Sequence, residues 1–363
     1  MIKIRSVRKR GVSFIVEKFR VIEDDITDPI KHYALEEAMM RLMDENKDYP
    51  NTIRLRRVKR SVLVGFLENP KDTVNIDFAK KMGVKIVRRH NLGGTVYQDL
   101  GSFMFTVLFR EGTFISHLDE REMYIEFSRF VIDFLKRFGI EGEIRGINDV
   151  VVRDRKIFGS AHTKIGSAIS HTGTILLNMD LDFLSKVLKF VKPKFSDKKF
   201  RSLKDALTTV SREISREVKI EEAYRVFLET FKDHFNVSLY RGKLMEEEIE
   251  LMEKLAREKY RSYEWTFEEE KKLEEIYTRK VKSGLIIVRG EFGDVIKNIK
   301  IYGDFLVEDR EAIPSLERSI KGLRFNEAIE RIRKSKIPED IKEGLIEIVK
   351  EIESMCYNFS DFC

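Results

Sequence analysis

The hydrophobic pattern near the N-terminus predicts an amphipathic helix. Apolar residues recur at intervals of three and four over residues 30–42, which is the spacing of one helix face. Asp28 can cap the free amide groups at the start of this helix, and Pro29 has the backbone angle of a first helical turn. A second helix is predicted over residues 117–138, where phenylalanines repeat at the same spacing and Gly139 marks the end.

Short apolar segments rich in β-branched and aromatic residues follow the first predicted helix, and charged or glycine-containing turns separate them. This pattern is typical of strands. The predicted strands cover residues 53–55, 61–67, 85–87, 103–109, 150–152, 157–161 and 174–177. Only the charged tripeptide Arg153, Asp154, Arg155 separates two of them, so we expect a tight hairpin there.

The second half of the chain is predicted to be mostly helical up to an aromatic cluster at residues 260–267. A further helix is predicted through Tyr277. Two strands, at residues 285–289 and 295–302, and three final helices then complete the chain, and the last helix starts after Pro338.

These patterns predict an α+β fold in which mixed or antiparallel sheets pack against helices. The 363 residues exceed the length of an average single domain. We expect two domains, a larger one of residues 1–260 and a small α+β unit of residues 261–363.

The composition is that of a globular protein, since 42% of the residues are hydrophobic. Lysine and arginine number 68 against 62 acidic residues, a mild net charge of +6. We expect no nucleic-acid partner, because such a partner needs clustered basic residues. No apolar run approaches the roughly 18 residues of a membrane span, and MIKIRSVRKRG at the N-terminus lacks the apolar stretch of a signal peptide. We therefore expect no membrane association and a cytoplasmic location.

The two cysteines, Cys356 and Cys363, both lie in the last eight residues. They cannot form a cysteine-rich zinc site. We also do not expect a thiol nucleophile in an active site built from the middle of the chain.

Three segments carry candidate chemistry. In residues 88–101 (RRHNLGGTVYQDLG), two arginines and a Gly-Gly turn precede a strand, so that backbone amides and arginine charge could meet a phosphate group. Residues 148–161 (NDVVVRDRKIFGSA) place Lys156 beside a hairpin turn and three small residues, and residues 171–177 (HTGTILL) offer a Gly-Thr pair at a strand. Taken singly, each segment is more often an ordinary turn or a surface lysine.

Taken together, in this order and spacing, the three segments resemble the lipoate–protein ligase family. Two earlier segments are also similar to that family, HYALEEAMM (residues 32–40) and VLVGFLENPKDTVN (residues 62–75). The segment SYEWTF (residues 262–267) and the elements after it resemble the accessory domain of bipartite ligases, here fused to the catalytic part. The resemblance covers nearly the whole chain and implies the fold shared by biotin and lipoate ligases.

The resemblance implies an ATP-dependent ligase that joins lipoate to AMP, releases pyrophosphate, and passes the lipoyl group to a lysine of an acceptor protein. The acceptor would be a lipoyl domain of a 2-oxoacid dehydrogenase complex or an H-protein-like carrier. ATP and Mg²⁺ would be the cofactors and lipoate the substrate. By correspondence, Lys156 would be the catalytic residue: its ammonium group would bridge the acyl carbonyl oxygen and the α-phosphate, acting as a charge and not as a base.

The same correspondence implies a binding site for ATP and the lipoyl-adenylate. Its residues would be Arg89, which would contact the phosphates, together with Lys156, Gly93, Gly94, Thr95, Val96, Tyr97, Gly173 and Thr174. Further candidates are Arg88, Asn148, Asp149, Gly159, Ser160 and Ala161. Asp149 is also a candidate ligand for Mg²⁺, and a turn role fits its position equally well. His162 and His171 are interpreted as structural or ligand-edge groups.

Three residues depart from the family pattern. Leu92 stands where a glycine is usual, and Gln98 and Thr172 stand where histidines are usual. Leu92 would place bulk where a ligand lies, and the altered loop would line the acyl tunnel. The identity of the acyl group therefore stays open between lipoate and octanoate.

Three alternative functions differ from this one in the residues that they require. An octanoyl or lipoyl transferase of the same fold would need a thiol to hold the acyl group as a thioester, and no cysteine precedes residue 356. A biotin–protein ligase would need a Gly-Arg-rich nucleotide loop, which is not visible. A non-catalytic binder of lipoyl domains would agree with the changes at Leu92 and Thr172.

Overall fold

The computed structural model of the chain describes residues 16–189, 202–267, 273, 275–307 and 309–360. Its strands, in chain order, are β1 (Lys18–Glu23), β2 (Thr52–Arg56), β3 (Ser61–Val64), β4 (Lys85–Arg88), β5 (Val96–Gln98), β6 (Ser102–Arg110), β7 (Glu143–Arg145), β8 (Asp149–Val152), β9 (Arg155–Ile165), β10 (Ala168–Leu176), β11 (Ser238–Arg241), β12 (Glu275–Val281), β13 (Gly284–Phe292) and β14 (Ile296–Gly303). Its helices are α1 (Pro29–Glu45), α2 (Pro70–Thr73), α3 (Ile76–Lys81), α4 (Glu120–Lys136), α5 (Leu181–Val187), α6 (Val210–Glu213), α7 (Ile220–Phe235), α8 (Glu246–Leu255), α9 (Tyr263–Phe267), α10 (Ala312–Ile320), α11 (Phe325–Arg333) and α12 (Glu339–Ser360), with a π-helix at Ala256–Tyr260. No helix within these ranges is long and apolar enough to cross a membrane.

An eight-stranded sheet in the order β11-β1-β2-β6-β10-β9-β8-β7 forms the centre of the larger unit. β1 runs parallel to both of its neighbours, and the pairs from β2 to β7 along the sheet are antiparallel. One face is covered by α4 and α7, whose phenylalanines join those of the strands in an aromatic core. The other face carries α1, against which α8 packs.

A second sheet of three strands, β4-β3-β5, lies beside α1. Val62, Val64 and Tyr97 of this sheet also pack with Leu176, at the end of β10, and with α5. The small sheet therefore faces the end of the large one, and the candidate site lies where the two sheets approach each other.

The C-terminal part of the chain has its own apolar core. The antiparallel strands β12-β13-β14 pack against α10, α11 and α12. Leu67 and Leu92 of the larger unit belong to this core. The contact is extended by an ion pair of 2.5 Å between Arg289 and Asp72 and by the Gly303 N–H, which donates to the Leu67 carbonyl oxygen at 2.8 Å.

The predicted α+β architecture is confirmed, as are its strongest local signals. α1 begins at Pro29, and Asp28 Oδ1 accepts a hydrogen bond of 3.0 Å from the Ile30 N–H. α4 lies within the range predicted for the second helix, and Gly139 after it has φ +73°. At the predicted hairpin, Arg153 and Asp154 have φ +49° and +66°, as a two-residue turn between twisted strands requires.

Three local predictions are wrong. Residues 275–277, predicted as the end of a helix, lie on β12, because all seven residues from 275 to 281 pair with β13. Residues 268–272 and 274 of the same prediction lie outside the described residues. Residues 171–173 are not a turn, since they lie inside β10 and pair with strands on both sides. Residues 238–241, predicted helical, form β11 beside β1, a strand that the sequence pattern also missed.

Candidate active site

A cavity of about 490 Å³ lies between the two sheets, α5 and the C-terminal unit. The three segments singled out from the sequence meet in its walls. The predicted site residues that line it are Arg89, Gly93, Gly94, Thr95, Val96, Tyr97, Asn148, Asp149, Lys156, Gly159, Ser160, Ala161 and Thr174. Residues far apart in the chain are thus brought together around one space large enough for a small-molecule ligand.

Lys156 lies on β9, near the turn of the β8–β9 hairpin. The pairing changes register here, because Asp149 is opposite Gly159 whereas Val151 is opposite Lys156. Residues three apart on a regular strand face opposite sides, but the extra residue of a bulge brings Lys156 and Gly159 to the same side. The Lys156 ammonium lies 2.7 Å from Asp149 Oδ1, and its side chain is 38% exposed. The bulge therefore directs the ammonium group to the cavity.

The position of Lys156 is fixed by its neighbours. A Cβ atom at Gly159 would lie 2.6 Å from Lys156 Nζ, so the glycine leaves room for the lysine side chain. The Lys156 N–H donates to the Ala206 carbonyl oxygen, and the Lys156 carbonyl oxygen accepts from the Thr208 N–H, both at 2.9 Å. Main chain and side chain are thus held independently.

Arg89 lies beneath the glycine loop, residues 92–95. It is buried, and its guanidinium donates to the carbonyl oxygens of Leu92 and Gly94 at 2.5 and 2.8 Å. These two hydrogen bonds hold the conformation of the loop. In this structure, Arg89 shapes the predicted phosphate-binding loop from below.

The glycines of this loop are required by its shape. Gly93 has φ +91°, a conformation that side chains disfavour. Gly65 touches the Gly93 carbonyl group so closely that any Cβ at Gly65 would overlap with it. The loop ends at Thr95, whose N–H donates to the carboxylate of Glu68.

Two predicted binding residues do not line the cavity. Gly173 faces the aromatic core, and a Cβ there would lie 2.4 Å from a ring atom of Phe105. Arg88 uses its guanidinium to join two segments of backbone. The carbonyl oxygens that accept from it belong to Gly65, Phe66, Glu68, Trp265 and Thr266.

The three departures from the family pattern have clear positions. Leu92 borders the cavity, but its side chain is only 5% exposed and packs in the apolar core of the C-terminal unit. Gln98 donates to Thr174 Oγ1 at 3.1 Å, and Thr172 donates to Glu36 Oε1 at 2.8 Å. Both therefore act as hydrogen-bond partners in the cavity wall.

A buried carboxylate supports this wall from behind. Glu36, on α1, forms an ion pair of 2.6 Å with Arg56 and accepts from Asn91 at 3.3 Å as well as from Thr172. Burial alone would raise the pKa of Glu36, but the Arg56 guanidinium and His90 hold it well below its ordinary value. A charge held beneath Asn91 and Thr172 fixes the orientation of both side chains.

His162 and His171 lie on the opposite face of the sheet, away from the cavity. Both are fully enclosed among aromatic rings, with Tyr124 stacked on His162 and Phe127 stacked on His171 at centroid distances of 4.1 and 3.7 Å. Burial lowers the pKa of His162 to about 3. Their interpretation as structural groups fits this position.

Asp149 does not form part of a preassembled metal site. One of its oxygens contacts Lys156, and the described residues contain no group of three or more histidines, cysteines or acids that could hold a metal ion. Asp149 could supply at most one carboxylate contact to a metal ion, and another ligand would have to hold most of that ion's coordination positions.

Sequence reasoning missed several residues of the cavity. Asn91 lies within the arginine–glycine segment but was not singled out, and Arg145 and Lys189 had no motif to identify them. Asp304 comes from the turn after β14 and lines the cavity from the C-terminal unit. Only its place in a segment similar to the accessory domain could have drawn attention to it.

Comparison with known proteins agrees with this geometry. Residues 28–232 match the family model for the lipoyl protein ligase A/B catalytic domain. The chain is similar to lipoate–protein ligase 1 of Staphylococcus aureus, at 28% identity over 290 residues, or 78% of this chain and 84% of that protein. It is also similar to the octanoyltransferase LipM of Carboxydothermus hydrogenoformans, at 27% identity over 275 residues, or 69% of this chain and 99% of that protein.

A solved structure shares the fold. It is a bipartite lipoate protein ligase from Thermoplasma acidophilum, described with its E2 lipoyl domain. The two chains superpose with a TM-score of 0.60 at 26% identity, over 70% of this chain and 96% of that one. Because the family match extends over more than half of the chain, the protein belongs to the lipoyl protein ligase A/B family and is an enzyme of the lipoate–protein ligase type.

Proposed function

We propose that the chain is an ATP-dependent ligase that converts lipoate to lipoyl-AMP and transfers the lipoyl group to a lysine of a lipoyl domain. The observation that carries the proposal is the position of Lys156, whose ammonium group borders the same cavity as the glycine loop. Among the residues that the structure describes, four cationic side chains (Arg89, Arg145, Lys156, Lys189) and two acidic ones (Asp149, Asp304) line this cavity. An excess of positive charge supports an anionic ligand such as a nucleotide.

Both chemical steps use the same cation. In the first, a carboxylate oxygen of lipoate attacks the α-phosphorus of ATP, and pyrophosphate leaves. In the second, the amine of the acceptor lysine attacks the acyl carbonyl carbon, AMP leaves, and the amine proton passes to water. Negative charge grows on the α-phosphate in the first step and on the carbonyl oxygen in the second, so one fixed ammonium group at Lys156 stabilises both transition states.

The remaining residues bind and orient. The glycine loop would bind the nucleotide phosphates, and Arg89 holds this loop through the carbonyl oxygens of Leu92 and Gly94. Tyr33, Val96 and Met104 also line the cavity and would contact the acyl chain. Mg²⁺ would arrive with the triphosphate, neutralise part of its charge and take at most one oxygen from Asp149.

The unit boundary and the partner are part of the proposal. Residues 1–260 would form the catalytic domain, and residues 261–363 an accessory domain fused to it. The acceptor would be an acidic lipoyl domain of a 2-oxoacid dehydrogenase complex or an H-protein-like carrier. The relative from Thermoplasma acidophilum, described with its E2 lipoyl domain, supports such a partner, and the mild net charge of +6 would favour encounter with it.

Lipoate-dependent exchange between ATP and labelled pyrophosphate tests the first step. Lys156→Ala should reduce this exchange on the order of 10²–10³-fold, as the loss of a preorganised donor does. Lys164→Ala is a matched control, because Lys164 lies on the same strand and also pairs with an acid, Glu111, at 2.8 Å. Equal activity of the two variants would refute the role of Lys156.

An octanoyltransferase is the second candidate, favoured by the similarity to LipM. Such an enzyme needs no ATP and holds its acyl group on a thiol. Cys356 lies on α12 and packs at the core of the C-terminal unit, not at the cavity. Octanoyl transfer between carrier proteins without ATP would establish this alternative, and a strict ATP requirement would exclude it.

A further inference from the structure

The Thr95 amide at the end of the glycine loop already holds an anionic oxygen. Its N–H donates to a carboxylate oxygen of Glu68, a residue that is only 3% exposed. Glu68 lies in the turn between β3 and α2, which the Gly303 N–H and the Arg88 guanidinium hold through backbone carbonyl groups. The carboxylate is therefore fixed beside the loop by the surrounding backbone.

Acidic side chains lie close to this amide. A Cβ atom on Gly94 would lie 4.0 Å from Glu68 Oε2 and 3.6 Å from the Cβ of Asp304, so two acids stand beside the glycine loop. Arg89 donates to carbonyl groups of the same loop. The ammonium group of Lys156 is paired with Asp149. A phosphate group that approaches Thr95 thus meets a carboxylate at the donor it would use.

We propose that Glu68 is a positioning residue that competes with the nucleotide phosphates for the Thr95 amide. In the ligand-free protein its carboxylate keeps the loop in a binding-ready shape, since the amide is already oriented towards an anionic oxygen. When a nucleotide enters, its phosphate oxygen replaces the carboxylate at the amide, and the repulsion between the two anions lowers nucleotide affinity. This inference rests on the proposed function, because it takes the nucleotide to bind at the glycine loop.

Removing the charge of Glu68 should therefore strengthen nucleotide binding. Glu68→Gln keeps the size of the side chain and an oxygen that can accept from Thr95, but it has no charge. One like charge about 6 Å from a phosphate, at an effective dielectric constant of about 40, corresponds to about a tenfold change in affinity. We expect the Kd for ATP to fall about tenfold and the Kd for adenosine, which has no phosphate, to stay within twofold.

Isothermal titration calorimetry of the full chain with ATP and with adenosine measures both values. Asp233→Asn is the control for net charge, because Asp233 is an exposed partner of Arg137 on α7 and lies on the opposite face of the large sheet. Its Kd for ATP should equal that of the unmodified chain. Glu68→Ala, which removes the competing oxygen altogether, should also bind ATP more tightly without a change in adenosine affinity.

The outcomes separate the inference from the proposed function. ATP binding that neither Glu68 variant strengthens would overturn the inference alone. Weaker ATP binding by Glu68→Gln would also overturn it, because the carboxylate would then assist the nucleotide, for example through a cation. An unmodified chain that binds neither ATP nor adenosine would refute the proposed function and the inference with it.

Discussion

Replacing Leu92 by alanine tests whether this side chain docks the C-terminal unit or obstructs the ligand. Leu92 is buried in the same apolar core as Leu67, and Leu306 of the C-terminal unit lies next to the glycine that follows it. Removing a buried leucine side chain costs about 2–5 kcal/mol. Leu92 also borders the ligand cavity, so its surroundings can relax, and we expect a loss of unfolding free energy of about 2 kcal/mol.

Urea denaturation gives this loss, with the fluorescence of Trp265 as the signal. Trp265 is the chain's single tryptophan, and its ring lies 6.0 Å from Phe66 at the junction of the two units. Leu67→Ala is the matched control, because Leu67 is buried in the same core but does not line the cavity. Both variants should lose similar stability, and the KM for lipoate should change less than threefold in either.

The opposite pattern would refute this reasoning. If Leu92 obstructs the ligand, Leu92→Ala should lose less than about 0.5 kcal/mol while the KM for lipoate falls tenfold or more. Leu67→Ala would then be the only destabilised variant. The side chain would have to be assigned to the acyl site and not to the contact between units.

Three further predictions concern pH and the buried polar groups. Burial lowers the pKa of His162 to about 3, so below pH 6.5 the unfolded chain binds a proton that the folded chain does not. Urea titrations of His162→Phe should therefore show a stability difference between pH 7 and pH 5 that is about 2 kcal/mol smaller than in the unmodified chain. An unchanged difference would contradict the lowered pKa. Burial opposes ionisation of Glu37, but His90 and Lys259 lower its pKa to about 2. The charged carboxylate therefore stabilises the fold above pH 4.5, and this stabilisation is lost as the pH falls towards 2. Glu37→Gln should make the melting temperature depend less on pH between 4.5 and 2, and an unchanged dependence would count against the interaction of Glu37 with His90 and Lys259. Thr172→Val should lower the free energy of unfolding by about 1–3 kcal/mol, because Glu36 loses a buried hydrogen-bond donor. Equal stability of the two proteins would show that the Thr172 hydroxyl does not support the Glu36 carboxylate.

Local signals predicted the elements whose ends are fixed by their own residues. Asp28 and Pro29 determine the start of α1, and Arg153 and Asp154 form the two-residue turn that their place between two short apolar segments predicted. β12 could not be predicted in this way, since residues 275–281 become a strand through pairing with β13. The same holds for β11, which forms only beside β1.

The candidate site shows the same division. The identity of Lys156 and of the glycine loop could be read from ordered motifs, and the structure brings them to one cavity. The bulge that turns Lys156 to the side of Gly159 depends on the register with β8, which no local pattern specifies. The position of Leu92 depends on a core formed by residues about two hundred positions later, so the sequence alone suggested obstruction where the structure shows packing.

The most direct test of the account is a crystal structure of the full chain with a non-hydrolysable lipoyl-adenylate analogue. We predict that Lys156 Nζ lies within hydrogen-bond distance of both the acyl carbonyl oxygen and an α-phosphate oxygen, with the adenylate enclosed by the glycine loop. An analogue bound elsewhere, or a Lys156 ammonium group directed into solvent while another cation contacts the phosphate, would contradict the account.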